Sequence, residues 1–206
     1  MEITVFGATR GTGRHVVEQA LAAGHHVTAV VRRRLPDVPG LDQVVADVMD
    51  PRAIEEALTG RDAAVSALGP RGRGAGSVCA DGARSIITAM RETGLRRLVV
   101  VTASGHVVDA GDGPLNRAVV KPLLGLFLRE GFADFARTEE AVRASGLDWT
   151  IMRPPRLTDG ERRPYRTAVD ENVRRGITIA RADLADAILA TLDDEATIGH
   201  TVSVGY

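Results

Sequence analysis

Ile3-Thr4-Val5-Phe6-Gly7-Ala8-Thr9-Arg10-Gly11-Thr12-Gly13 reads as the end of a strand running into a glycine-rich turn. The residues that follow carry helical periodicity, with apolar positions at Val16, Val17, Ala20 and Leu21. Strand, glycine turn and helix in this order make an otherwise weak glycine pattern informative. Glycine permits a tight turn and lets the backbone approach a pyrophosphate. The helix N-terminus then offers free N–H groups and the positive end of its dipole to the anion. The alternative is a purely structural strand-to-helix turn, and the flanking elements argue against it.

Outward from this stretch the same unit repeats. Gly24, Gly60, Gly94 and Gly146 each follow a helical stretch as candidate left-handed stops. Strands are expected at 26–31, 43–46, 62–67, 97–102, 148–152 and 201–204. Helices are expected from Asp50 to Gly60, from Ser77 to Thr93, over 134–145 and over 182–192. Asp50 precedes Pro51 as an N-cap acid before a first-turn proline, and Ser77 is expected to cap the next helix. Alternating strands and helices predict an α/β fold, a Rossmann-type doubly wound parallel sheet with helices on both faces. Right-handed crossovers then predict strand order 3-2-1-4-5-6, with the last strand at the edge. Residues 165–169 and 177–180 are expected to pair with each other as short strands over the site. Residues 71–76 read as a glycine-rich surface loop or a second phosphate contact. The apolar residues 118–132 suit core packing, a pocket wall or a subunit interface.

The chain has 206 residues, which suits one domain over 1–206, with substrate-side segments at about 104–132 and 156–181. Its 44% hydrophobic content supplies a core. With 26 basic and 27 acidic residues, nothing in the charge balance points to nucleic acid or a membrane surface. One cysteine, Cys79, excludes an intrachain disulfide and fits a reducing compartment. No apolar run reaches the roughly 20 residues of a membrane span. The chain enters a strand at once, so no signal peptide is expected. A cytoplasmic monomer or homodimer acting on a small molecule is the expectation.

Arg32, Arg33 and Arg34 end the second strand. In a dinucleotide-binding unit an acid at this point holds the adenosine ribose of NAD, whereas arginine suits the 2′-phosphate of NADP. Guanidinium groups grip phosphate with forked hydrogen bonds. NADP(H) is therefore expected over NAD(H), the alternative being a solvated basic turn. Ser104, past the fifth strand, can orient a carboxamide or bond substrate, or can simply satisfy backbone. His106 can act as an acid near neutral pH, or can be a solvent-exposed loop histidine. Arg153 and Arg156 can bind an acidic or phenolate substrate, or form ion pairs at the sheet edge. Nothing near Cys79 marks it as a nucleophile. No set of residues has metal-ligand spacing.

The spacing Gly7-x-x-x-Gly11-x-Gly13 is that of short-chain dehydrogenases/reductases. The chain resembles their atypical members with an NAD(P)H-binding domain, of the flavin reductase/biliverdin-IXβ reductase and nitrogen-metabolite-repression-regulator types. The resemblance covers nearly the whole chain. It rests on Gly7-Ala-Thr-Arg-Gly-Thr-Gly13, Ala46-Asp-Val48, Asp62-Ala-Ala-Val65, Val101-Thr-Ala-Ser104, Ser145-Gly-Leu-Asp-Trp-Thr-Ile-Met-Arg-Pro-Pro155 and Ala182-Asp-Leu-Ala-Asp186. It implies that Gly7, Thr9, Arg10, Gly11, Thr12 and Gly13 carry the pyrophosphate, with Arg32 or Arg33 on the 2′-phosphate. It further implies that Asp47 and Val48 flank the adenine. Leu68, Gly69, Thr102, Ala103 and Ser104 line the nicotinamide ribose, and Pro154 and Pro155 lie against the nicotinamide. Arg10 stands where many relatives have glycine and matches the arginine with which the main family often helps bind the NADP phosphate.

Two departures bear on chemistry. The main family uses a Tyr-x-x-x-Lys pair, yet the sole lysine here, Lys121, has no tyrosine at that spacing. Phe135 and Arg156 stand where the flavin reductase relatives carry histidines. Hydride transfer to an electron-poor conjugated or aromatic acceptor, flavin- or quinone-like, needs little from protein acids. A non-catalytic NADP sensor docking a partner through 118–132 is a second reading. An isomerase, cyclase or dehydratase on the same fold is a third.

Overall fold

The computed structural model describes residues 1–69, 76–107 and 129–206. Strand β1 (Glu2–Phe6) leads into α1 (Gly11–Ala22), β2 (His26–Val31) and β3 (Leu41–Val45). A short 3-10 turn (Arg52–Ile54) runs into α2 (Glu55–Leu58), followed by β4 (Ala63–Ser66), α3 (Val78–Thr93) and β5 (Arg97–Val101). Then come α4 (Arg129–Arg143), β6 (Asp148–Arg153), β7 (Arg156–Thr158) and β8 (Arg166–Val169). The chain ends with β9 (Thr178–Ala180), α5 (Arg181–Leu192) and β10 (His200–Gly205).

Eight strands form one Rossmann-type sheet in the order β3-β2-β1-β4-β5-β6-β10-β8. All pairings are parallel except β8 on β10. Side chains alternate across the sheet, so one strand feeds two cores. Ile3 and Val5 pack with Val16, Val17 and Ala20 of α1 and with Leu184 and Ile188 of α5. Phe6 packs on the opposite face with Leu58 of α2, Ile86 and Met90 of α3, and Val142 of α4. Helices on both faces explain why the central strands read as continuous apolar runs rather than alternating ones. Gly24, Gly60, Gly94 and Gly146 all adopt positive φ, between +69° and +82°, as their positions after helices predict.

The structure corrects the sheet edge. β10 pairs with β6 on one side and with β8 on the other, so it is not the edge strand, and Thr201, Val202, Ser203 and Val204 are all buried. β8, largely exposed, takes the edge against it. Segments 165–169 and 177–180 therefore do not pair with each other. β9 instead joins β7 in a separate two-stranded parallel sheet, with Leu157 opposite Ile179. The loop 71–75 and residues 118–128 of the apolar stretch 118–132 lie outside the described residues.

Capping of α3 also differs from expectation. Ser77 makes no side-chain cap bond. Asp134, on α4 and 1% exposed, accepts from Cys79 N at 2.9 Å and Ala80 N at 3.0 Å. A carboxylate distant in sequence thus satisfies two orphan donors of this helix and complements its dipole. Asp50 does act as expected, its Oδ1 accepting from Arg52 N at 3.0 Å.

Candidate active site

Parallel strands place their C-terminal ends along one edge, and the expected site residues follow those ends. Gly7 leaves β1 with φ +81°, and a Cβ built there would lie 2.5 Å from the Ala67 carbonyl oxygen. A Cβ on Gly13 would lie 2.3 Å from the Gly7 carbonyl oxygen. The turn is thus wedged between α1 and the end of β4, and only glycine fits at both positions. Gly11 is different: its φ of +57° favours glycine, but the space beside it is open except for the Arg181 side chain.

The start of α1 is left without a side-chain cap. Arg10 is the extended N-cap residue, with no side-chain cap bond and no acid in the first turn. The first helical N–H groups therefore lack intrahelical partners. Thr12 is 7% exposed, and its Oγ1 is buried without a hydrogen-bond partner. An orphan hydroxyl, free amides and a positive dipole end fit a diphosphate.

Beside the turn lies a cleft of about 660 Å³. It brings together Gly7, Thr9, Arg32, Arg33, Asp47, Val48 and Leu68, with Arg34, Met49 and Val78 also on its wall. Gln43 holds the arginine segment in place. Its Oε1 accepts from Leu35 N at 2.7 Å and its Nε2 donates to Leu35 O at 3.1 Å. Asp47 folds its own turn, Oδ1 accepting from Met49 N at 3.0 Å. Arg32, Arg33 and Arg34 are exposed and have no ion-pair partner among the described residues. No acid follows β2 before Asp37.

The other half of the expected site lies along β5 and β6. Thr102 N donates to Met152 O at 2.9 Å, and Ser104 N to Pro154 O at 2.8 Å. These bonds set Ala103 and Ser104 beside Pro154 and Pro155. Ser104 to His106 form a 3-10 turn. Phe132 of α4 covers that turn, for a Cβ on Gly105 would meet its ring at 2.8 Å.

Of the two readings of Arg153, ion pairing is the one the geometry shows. Arg153 is buried, its Nε donating to Glu139 Oε1 at 2.8 Å and its Nη2 to Oε2. Thr102 Oγ1 donates to the same carboxylate at 2.9 Å, and Arg143 Nη2 at 2.8 Å. The group expected to meet substrate instead braces the strand ends from beneath. Arg156 is exposed at the start of β7.

A family model described as NAD(P)H-binding matches residues 7–195. The chain belongs to the NAD(P)H-binding family. A Mycobacterium tuberculosis protein is 37% identical over 107 residues, covering 52% of this chain and 12% of that protein. A chloroplastic divinyl chlorophyllide a 8-vinyl-reductase from Oryza sativa subsp. indica is 28% identical, covering 98% of this chain and 54% of that enzyme. The chain thus spans only a small part of the first and about half of the second. A wide-type short-chain dehydrogenase/reductase from Veillonella parvula DSM 2008, in complex with NADP, superposes with TM-score 0.82. It is 20% identical, covers 100% of this chain and 94% of that chain, and shares the fold.

For a member of this family, the tyrosines are placed unlike proton donors. Tyr165 OH donates to Asp186 Oδ2 at 2.8 Å, and burial together with that carboxylate pushes its pKa well up. Tyr206 OH donates to Asp183 Oδ2 and accepts from Ala180 N at 2.9 Å. Burial, then Asp134, pushes the Cys79 thiol up to about 12, so it is inert as a nucleophile. Among the described residues, no group of three His, Cys, Asp or Glu can hold a metal ion. No helix among them is long and apolar enough to cross a membrane.

Sequence reasoning missed Glu139, Asp134 and Arg181. The buried face of α4 is Asp134, Thr138, Glu139 and Val142. Three of these four are polar, so hydrophobic periodicity passes over them. Arg181, which falls between the expected strand 177–180 and the expected helix 182–192, is the first residue of α5 and lies against Gly11.

Proposed function

We propose that this chain is an NADPH-dependent reductase that transfers hydride to a small conjugated or aromatic acceptor, flavin- or quinone-like. The observation that carries the reading is the cleft itself. A glycine turn with open helix donors lies on one wall, three arginines without an ion-pair partner among the described residues on another, and no acid stands between the end of β2 and Asp37. An acid there would suit the 2′-OH of NAD, whereas arginines suit a 2′-phosphate. In this reading Arg32 and Arg33 hold that phosphate, Asp47 and Val48 flank the adenine, and the Gly7-to-Gly13 turn holds the diphosphate. Leu68, Gly69, Thr102, Ala103 and Ser104 line the nicotinamide ribose, with Pro154 and Pro155 against the ring.

The reduced coenzyme, when bound, supplies the hydride. The protein supplies position: rigid strand ends set the distance and orientation between two rings. An acceptor that stabilises added charge by conjugation needs no tyrosine acid, which accords with both tyrosines being tied to carboxylates. The rice relative's name, a vinyl-reductase, is in keeping with such an acceptor. Ser104 and Arg156 remain the groups assigned to substrate; the side chain of His106, the expected acid, lies outside what the structure describes.

The test is NADPH oxidation, followed by coenzyme absorbance, against a panel of flavins and quinones. Turnover with at least one acceptor, faster with NADPH than NADH, is expected. Tight NADPH binding without turnover on any acceptor would favour the sensor reading. The isomerase, cyclase or dehydratase reading has less support, because the cleft is open rather than filled by side chains.

A further inference from the structure

The N-terminus of α1 carries a cation where a helix tolerates one least. Arg181 lies against the first residue of α1: its Nε is 3.6 Å, and its Cδ 3.7 Å, from where a Gly11 Cβ would be. No acid occupies the first turn of α1 and no side chain caps it. A guanidinium beside the positive end of a helix dipole is repelled unless an anion joins them. The carboxylate that Arg181 meets is Asp159, Nη1 to Oδ1 2.6 Å, and the Asp159 side chain is 82% exposed. Thr12, in the same turn of α1, contributes the buried hydroxyl without a partner.

We propose that Arg181 is a coenzyme-binding residue, which exchanges Asp159 for the diphosphate of the dinucleotide. The inference rests on the coenzyme reading of the cleft and extends it to a residue outside the glycine turn. The Arg181 side chain is 28% exposed but its partner Asp159 is 82% exposed, so solvent screens the carboxylate and replaces Arg181 around it at little cost. The segment carrying Asp159 is also held independently. Arg162 pairs with Asp183 and Asp186, Tyr165 donates to Asp186, and Arg163 lies 3.6 Å over the Tyr206 ring. Releasing Asp159 leaves these contacts in place. Because the diphosphate is common to both coenzymes, Arg181 strengthens NADH and NADPH alike, whereas Arg32 and Arg33 distinguish them.

Calorimetric titration of wild type, Arg181→Gln and Asp159→Asn with NADPH and NADH tests this. Arg181→Gln is expected to weaken both coenzymes by a similar factor, about 10- to 100-fold, as for loss of a charged hydrogen bond. Asp159→Asn, which breaks the same ion pair, is expected to leave both affinities unchanged or tighter. Opposite behaviour of the two variants separates a ligand from a structural brace, and Asp159→Asn serves as the folding control. Parallel weakening in both variants, or no change in Arg181→Gln while wild type binds, would overturn the proposal alone. Failure of wild type to bind either coenzyme would overturn the cleft reading along with it.

Discussion

Glu139 and Arg153 form an ion pair buried beneath the candidate site, both oxygens of the carboxylate meeting the guanidinium. Their side chains are only 3% and 10% exposed. Removing one partner strands a charge in the interior, which costs about 3–5 kcal/mol. Glu139→Ala is therefore expected to lose stability on that scale in chemical denaturation. Glu139→Leu combined with Arg153→Met is expected to recover most of it. A Glu139→Ala variant as stable as wild type would show that the pair braces nothing.

The glycine turn offers an internal contrast. Gly13→Ala drives a Cβ to 2.3 Å from a backbone oxygen, whereas Gly69→Ala meets nothing within 4 Å. Overpacking of this kind costs about 1–3 kcal/mol. Gly13→Ala is expected to lose that much stability and most of its coenzyme affinity, while Gly69→Ala keeps its stability. Thermal melts with and without coenzyme separate the two effects.

Asp134 caps a helix to which it is not joined. Asp134→Ala removes the acceptor of two buried amides and is expected to cost about 1–2 kcal/mol, in the upper range for a lost cap. Ser77→Ala, the residue that sequence position favours as cap, is expected to be neutral because its side chain makes no cap bond. Urea titrations of the two variants should therefore rank them in this order, and the reverse order would refute the assignment.

Two shifted groups make stability depend on pH at its alkaline and acid ends. Burial lifts the Cys79 thiol from 9.0 to about 12, so the unfolded thiol ionises first as pH rises. Stability from this group is intact below about pH 9 and falls between there and about 12. Thiol reagent at pH 8 should leave native protein unlabelled and modify one cysteine in denaturant. At the acid end, Thr201 N, then His200, holds the Asp170 carboxyl below its ordinary 3.8. That contribution is present above about pH 3.8 and is lost as pH falls further. Asp170→Asn should flatten this acid limb.

Much of this molecule was legible before its structure. β2 spans His26–Val31 as expected, and the four helix-closing glycines sit at positive φ, because both signals are local. The cleft was legible for the same reason: Gly7, Arg32, Asp47 and Leu68 all follow parallel strands, and parallel topology gathers such ends. What escaped depends on contacts across space. The burial of Arg153 requires a glutamate fourteen residues earlier on a polar helix face. The placement of β8 outside β10 rests on an antiparallel pairing, Val202 opposite Val169, that neither segment signals alone. The expected cap Ser77 lost to a carboxylate 57 residues away, and no sequence window contains both.

The most direct test of the account is a calorimetric titration of the wild-type chain and of Arg32→Gln combined with Arg33→Gln, with NADPH and NADH. Saturable one-to-one binding is expected, with NADPH at least about tenfold tighter than NADH in wild type, on the scale of a charged hydrogen bond. That preference should vanish in the double variant while NADH affinity persists. No saturation with either coenzyme at millimolar excess, or an unchanged preference without the arginines, would contradict it.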